Sequence, residues 1–176
     1  IAYGCGPGSF TGLRIAASVV QGLAYANQLP CIPVSTLLTQ VQGAHRGGLI
    51  AAGDAVMATL DAKIGELYWG IASVTEGRAS FTSGPFVCKP AELALPEQPD
   101  ELVAIGDGLT HLAAMPAAVR ERLLPATGEC VPRAADMIPL ALQYFAEGLT
   151  QPAVAVSPVY VRDEVNWKKL DQQGRR

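Results

Sequence analysis

The sequence predicts an α/β fold of two lobes, and three observations carry that prediction. A strand, a glycine-rich turn and a helix run from Tyr3 to Tyr25, and a second apolar strand, Pro30–Val34, follows after a short join. Strand, helix and strand joined this way form a βαβ unit, which implies a parallel pair with a right-handed crossover. From Val56 the pattern changes. Val56–Leu60 and Glu66–Ala72, with β-branched and aromatic residues, flank the turn-forming Asp61–Gly65 and read as an antiparallel hairpin. Between the two patterns, Arg46-Gly47-Gly48 marks a flexible join. The predicted divisions are residues 1–50 for an N-terminal lobe, 51–157 for a C-terminal lobe and 158–176 for a C-terminal arm.

In the first turn, Gly4, Gly6 and Gly8 alternate around Cys5 and Pro7, so the backbone can bend where a side chain would clash. The turn fits none of the common phosphate or nucleophile signatures. A Walker A loop needs a lysine, and none precedes Lys63. The dinucleotide fingerprint fails at Ser9 and Thr11, and a nucleophile elbow around Ser9 fails at Pro7 and Thr11. What remains is a helix N-terminus carrying Gly6, Gly8, Ser9, Thr11 and Gly12. Two readings stand there: a turn capped by its own hydroxyl, or a contact for an anion or a partner.

The helix itself is unusual. Arg14, Ser18, Gln21 and Tyr25 fall on one narrow stripe, and every other position from Leu13 to Ala26 is aliphatic or small. A surface helix keeps most of its circumference polar. This one is predicted either to be fully interior or to pack its own domain on one side and another chain on the other. The sequence opens at Ile1, within a predicted strand, so elements of the first lobe are expected to precede it.

Further on, Ser35 or Thr36 is predicted to cap a helix through His45, with Leu37, Leu38, Val41 and Ala44 inward. Pro33 places the second strand at an edge or terminus. A third strand of the meander is expected at Ala79–Phe86, and helical stretches at Ala91–Leu95, Leu109–Ala114 and Ala117–Leu124. Between them, Leu102–Ile105 reads as a buried strand ending in Gly106-Asp107-Gly108. A last amphipathic helix runs from about Asp136 to Glu147, with Met137, Leu140, Ala141, Tyr144 and Phe145 inward and Gly148 as its stop. From Arg162 the arm carries Trp167, Lys168 and Lys169, which either dock on the body or contact RNA by stacking and phosphate pairing.

Composition narrows the function classes. Hydrophobic residues make up 49% of the 176-residue chain and charged ones 16%, which suits a packed core and not a disordered chain. The net charge of -3 gives no bulk attraction for nucleic acid. No run approaches the ~20 apolar residues of a membrane span. Cys5, Cys31, Cys88 and Cys130 are widely spaced and predicted to be reduced thiols of a cytoplasmic protein, and His45 and His111 lack the spacing of a metal pair. Asp61, Lys63 and Glu66 are the acids and base that a cleft could use for proton transfer, with turn chemistry as the alternative; Asp107 reads as a turn residue.

Three blocks then carry a resemblance: YGCGPGSFTGLRIAASVVQGLA, LDAKIGELYW and SPVYVRDEVNWKK, with PVSTLLTQVQGA and AADMIPLALQYFAEG between them in order. Together they closely resemble the bacterial TsaB (YeaZ) family, accessory proteins in making threonylcarbamoyladenosine in tRNA. The resemblance implies an actin-like (ASKHA, ribonuclease H-like) fold whose N-terminal lobe is incomplete in this sequence. It implies a degenerate paralogue of the catalytic subunit TsaD, since the paired-histidine motif of TsaD has no counterpart here. No cofactor or metal is expected. It further implies a heterodimer with TsaD, recruitment of the ATPase TsaE, self-association, and only indirect or weak tRNA contact. On this basis the helix becomes the expected partner surface, through Arg14, Ala16, Ala17, Val20, Gln21, Gly22 and Ala24. Two alternatives remain: a peptidase acting on TsaD through Ser9, and a tRNA-binding module using the arm.

Overall fold

The structure, a computed structural model, describes residues 1–128 and 130–161. The expectations for Arg162, Trp167, Lys168 and Lys169 lie outside the described residues. The first unit follows the sequence reading closely. Strand β1 (Ala2–Gly6), helix α1 (Phe10–Asn27) and strand β2 (Ile32–Ser35) form a βαβ unit, with β1 and β2 parallel and Ala2 opposite Ile32. The alternation of the strands sorts their two faces. Tyr3, Cys5 and Cys31 pack against Ala17, Val20 and Ala24 of α1, while Ile32 and Val34 turn to the other side. There they meet helix α2 (Thr36–Arg46), whose Leu37, Leu38, Val41 and Ala44 are all buried as the periodicity predicts.

The second sheet has five strands in the order β5-β4-β3-β6-β7. Strands β3 (Val56–Lys63), β4 (Glu66–Thr75) and β5 (Arg78–Cys88) form the antiparallel meander, and β6 (Leu102–Ile105) and β7 (Leu123–Pro125) add in parallel beside β3. One face, through Val56, Ala58, Ala72 and Val74, shares a core with α2. The other, through Met57, Leu67, Trp69 and Ile71, is covered by Leu93, Met115 and Val119, the last from the short helix α3 (Ala117–Arg120). Helix α2 therefore touches both sheets. Helix α4 (Ile138–Ala146) packs on β2 and contributes Leu140 and Ala141 to the α2 core.

Several element boundaries differ from the sequence reading. The hairpin turn is only Ile64-Gly65, not Asp61–Gly65. Lys63 pairs with Glu66 across it, and φ is 55° at Ile64 and 75° at Gly65, the doubly left-handed geometry that matches the twist of paired strands. Asp61 thus belongs to a strand, opposite Leu67. Leu123 and Leu124 are strand rather than helix, because the backbone of Leu102 bonds to Arg122 O and draws the next residues alongside β6. Residues 90–92 form a 3-10 turn shorter than the expected Ala91–Leu95 stretch, and the stretch expected at Leu109–Ala114 is a 3-10 segment that begins two residues earlier, at Asp107. Phe145 is exposed, since the buried arc of α4 extends only over Leu140 and Ala141 with Tyr144 at its margin. Asp136 does not open α4. It is buried in the preceding 3-10 turn and paired with Arg46 of α2, Oδ1 to Nε, at 2.6 Å.

Candidate functional site

The glycine-rich turn, the tip of the β3–β4 hairpin and residues 159–161 enclose a cavity of about 650 Å³, which brings together Ser9, Phe10, Arg14, Asp61, Lys63, Ile64, Tyr68 and Tyr160. The turn's bend has a steric cause. Gly6 has φ +123°, and a Cβ there would lie 2.9 Å from the carbonyl oxygen of Val159. Ser9 sits at the N-cap of α1, where its Oγ accepts from Gly12 N at 3.3 Å. The capped-turn reading accounts for that hydroxyl.

Of the hairpin acids and base, Asp61 and Lys63 converge, with Asp107 and His111 as partners the sequence did not pair with them, while Glu66 sits opposite Lys63 in the strand pair. Asp61 accepts from Lys63 Nζ at 2.6 Å and from Lys63 N at 2.8 Å. Its Oδ1 lies 3.4 Å from His111 Nε2, and its own N–H donates to Asp107 Oδ1 at 2.8 Å. The bonds from Lys63 hold the Asp61 carboxyl down at about 2, far from the range a proton-transferring group needs at neutral pH. The cluster behaves as an anchored hairpin base. The 3-10 turn that follows β6 docks on it through Asp107 and His111.

Ser9 is not joined by an imidazole. His111 is held at Asp61, and His45 Nδ1 lies 3.4 Å from the carbonyl of Ile50. The cysteines are free thiols, and burial pushes Cys5 and Cys130 up to about 11, away from nucleophilic character. Among the described residues no three His, Cys, Asp or Glu side chains are grouped so as to hold a metal ion, and no helix is long and apolar enough to cross a membrane.

The second candidate surface is α1. Of its expected partner residues, Ala17, Val20 and Ala24 are buried against β1 inside this chain, Ala24 to 1% exposure, and so do not present themselves outward. Their position follows from β1 needing one apolar helix face over Tyr3 and Cys5. Gln21 turns inward too, donating to Val156 O at 2.8 Å, and Ala16 is half-buried. Arg14 donates from Nε to Tyr160 Oη at 3.0 Å, its guanidinium 4.0 Å from the Phe10 ring centre. The outward face carries instead Ile15, Val19 and Leu23, exposed by 60%, 55% and 52%, one turn apart. Gly22 stands open beside them, with nothing within 4 Å of the place its Cβ would occupy. Spacing alone does not single out this ridge, because α1 is apolar or small around most of its girth; three of the expected partner positions, Ala17, Val20 and Ala24, fall on the buried arc.

Comparison with known proteins adds to this geometry. Residues 1–168 match the family described as TsaD: tRNA N6-adenosine threonylcarbamoyltransferase. Over 175 residues, 97% of this chain and 73% of the other, the sequence is 41% identical to the tRNA threonylcarbamoyladenosine biosynthesis protein TsaB of Escherichia coli (strain K12). The protein of the same description from Haemophilus influenzae is 33% identical over 180 residues, covering 97% of this chain and 72% of its own. Among solved structures, YeaZ from Pseudomonas aeruginosa matches with a TM-score of 0.79 and 36% identity over 91% of this chain and 72% of that one. A second structure, described as an uncharacterized protein with similarity to peptidase YEAZ from Pseudomonas aeruginosa, matches with a TM-score of 0.81 and 35% identity over 92% and 73%.

Proposed function

The chain belongs to the TsaB (YeaZ) family, and on that premise we propose that it is a non-catalytic scaffold subunit in the biosynthesis of tRNA threonylcarbamoyladenosine. In this reading it binds TsaD, and with TsaE it supports threonylcarbamoyl transfer to adenosine 37 of ANN-decoding tRNAs. The actin-like, two-lobe architecture is part of the same reading. The single observation that carries it is the outer ridge of α1. Three branched side chains lie exposed at one-turn spacing on a well-anchored helix, and the open Gly22 beside them lets a second helix approach closely. The match of residues 1–168 to the TsaD description supports a paralogous partner, since two related chains can pair through equivalent helices. The same ridge would serve a homodimer in the absence of TsaD.

The test is a pull-down of TsaD with the full chain, followed by reconstituted tRNA modification with TsaD and TsaE. The chain alone is expected to be inactive and the mixture to need it. A double Val19→Asp, Leu23→Asp variant is expected to keep its fold and lose both TsaD capture and modification. Undiminished capture by that variant would overturn the docking face. Modification at the full rate without this chain would overturn the scaffold role.

A further inference from the structure

Residues 151–161 run along β1 and α1 and are tied to the first unit at Gln151, Val156, Ser157, Val159 and Tyr160. Gln151 exchanges two backbone bonds with Cys31, each 2.9 Å, and its Nε2 donates to Tyr3 Oη at 2.7 Å. Tyr3 Oη donates onward to Ser157 O at 3.2 Å, Gln21 Nε2 reaches Val156 O at 2.8 Å, and Val159 N donates to Cys5 O at 2.8 Å. The last tie is the one at the cavity, where Tyr160 Oη accepts from Arg14 Nε and its ring lies 5.8 Å from that of Phe10.

These ties are not equal. Val156 is buried among Tyr3, Cys5, Ala17, Val20 and Ala24, so the inner half of the strap is part of the core. The outer half is not. Val159 is half exposed and Tyr160 is 46% exposed, so their bonds can open to water without unpacking the core. Both residues wall the cavity: Val159 holds the end of β1 through Cys5 and the cramped Gly6, and Tyr160 holds the start of α1 through Phe10 and Arg14.

We infer that the Phe10–Arg14–Tyr160 cluster is a latch, by which the end of the strap fixes the first turn of α1 and closes one wall of the cavity. Arg14 is the positioning residue. Its guanidinium is stacked on Phe10 one turn earlier and bonded through Nε to Tyr160, so one side chain joins the helix start to a segment 146 residues away. When the latch opens, Tyr160 leaves the cavity wall and the first turn of α1 loses its hydrogen bond and ring contact to the strap's outer half. Ile15 follows Arg14 directly, so the latch also sets how the N-terminal end of the exposed ridge is presented; this last step rests on the docking reading above.

Amide hydrogen exchange on the full chain tests it. In Tyr160→Ala, exchange at Val159 and at Gly12, Leu13 and Arg14 is expected to quicken about five- to tenfold, as for loss of one side-chain anchor. Tyr160→Phe, which keeps the ring against Phe10 and loses only the hydroxyl, is expected to lie between Tyr160→Ala and the parent chain. Exchange at Ala24 and Leu140, in the core, is expected to stay unchanged in both. Parent-like exchange at Gly12–Arg14 in Tyr160→Ala overturns the latch, and so does a uniform rise that includes Ala24 and Leu140, which marks global destabilisation. Capture of TsaD, measured on the same variants, is expected to weaken severalfold in Tyr160→Ala; unchanged capture beside quickened exchange overturns the link to the ridge. If Val19→Asp, Leu23→Asp also leaves capture unchanged, the docking reading fails, and the exchange pattern alone decides the latch.

Discussion

Helices α1 and α2 each follow a parallel strand, yet their burial is opposite to their polarity. Helix α1 has one formally charged residue, Arg14, in 18 positions and exposes Ile15, Val19 and Leu23 to solvent. Helix α2 carries Thr39, Gln40, Gln42, His45 and Arg46 in 11 positions and is buried on nearly every side. What reverses the expectation is hydrogen bonding. Thr39 Oγ1 donates back to Ser35 O at 2.8 Å, and Gln40 Nε2 reaches Cys130 O at 2.8 Å. Gln42 donates to Gly77 O at 2.9 Å and accepts from Ala79 N at 3.0 Å. Arg46 pairs with the buried Asp136. A polar helix can sit between two sheets when most of its polar groups meet partners, Gln40 Oε1 being the buried exception here, because the cost of burial attaches to unpaired groups. An apolar helix left at the surface has no such account within its own chain. In the proposed function its ridge is the face for another molecule.

If that contrast is right, the largest loss of stability in the pair comes from a polar residue of α2. Gln42 is 5% exposed and its amide stands in for a missing strand beside the β4–β5 turn, bonding both Gly77 and Ala79. Gln42→Leu keeps the volume and strands the buried N–H of Ala79, while the carbonyl of the exposed Gly77 can turn to water. The expected cost is about 2 kcal/mol, from one unsatisfied buried group at roughly 1–3 kcal/mol. Urea unfolding followed by circular dichroism measures it. A loss below about 1 kcal/mol would mean that water reaches that group and that the burial of α2 does not depend on matched polar partners.

The same helix offers a smaller and more geometric probe. A Cβ on Gly43 would fall 2.7 Å from Asp136 Oδ2. Alanine is favoured over glycine inside a helix by about 1 kcal/mol, whereas forcing atoms into a packed site costs about 1–3 kcal/mol. Gly43→Ala is therefore expected to destabilise by about 1 kcal/mol net, seen as a lower Tm. Gly22→Ala on α1, where nothing is near, is expected to stabilise slightly on the propensity term alone. Opposite signs from one chemical change on two helices would sharpen the contrast; equal signs would break it.

Much of this was legible in the sequence, for reasons that can be named. The βαβ unit, the inward face of α2 and the meander follow from short-range periodicity, and Leu37, Leu38, Val41 and Ala44 sit where their spacing puts them. Strand β7 was not legible, because Val119, Leu123 and Leu124 continue a helical spacing and only the neighbouring β6 edge draws them into extended form. The orientation of α1 was not legible either: with apolar residues around most of its girth, periodicity cannot say which arc faces β1. Nor could the sequence join Arg14 to Tyr160 or Asp61 to His111, since those pairs depend on tertiary placement and not on spacing.

On α1 itself the expected change in stability is smaller still, and the effect moves to binding. Leu23 is half exposed, so Leu23→Asp is expected to change unfolding free energy by no more than about 0.5 kcal/mol. In the proposed complex the same change places a carboxylate in an apolar contact. Affinity for TsaD is expected to fall at least tenfold, about 1.4 kcal/mol. Calorimetry or surface binding with the full chain gives the number. A large loss of stability would show that the ridge is packed within the chain after all, and the contrast with α2 would dissolve.

The smallest effect tests the hairpin base that carries neither helix. Folding holds the Asp61 carboxyl at about 2, chiefly through the Lys63 side-chain bond, against an ordinary value near ~3.9 in the unfolded chain. A carboxyl depressed in the folded state stabilises it above the unfolded value, and that contribution fades as pH falls from about 4 through about 2, because the unfolded chain takes up the proton first. Lys63 is largely exposed, so solvent screening holds the contribution below about 1 kcal/mol. Asp61→Asn is expected to lower the neutral plateau by that contribution, less than about 1 kcal/mol, and to meet the parent chain near pH 2, so that the acid limb between pH 4 and 2 becomes shallower. A steep loss at pH 7 would instead mean that the bonds from Lys63, His111 and the Asp107 arm hold the hairpin against β6 as a unit. In that case the cavity wall formed by Lys63 and Ile64 would loosen in the same variant, which exchange at Lys63 would register as a second, independent reading.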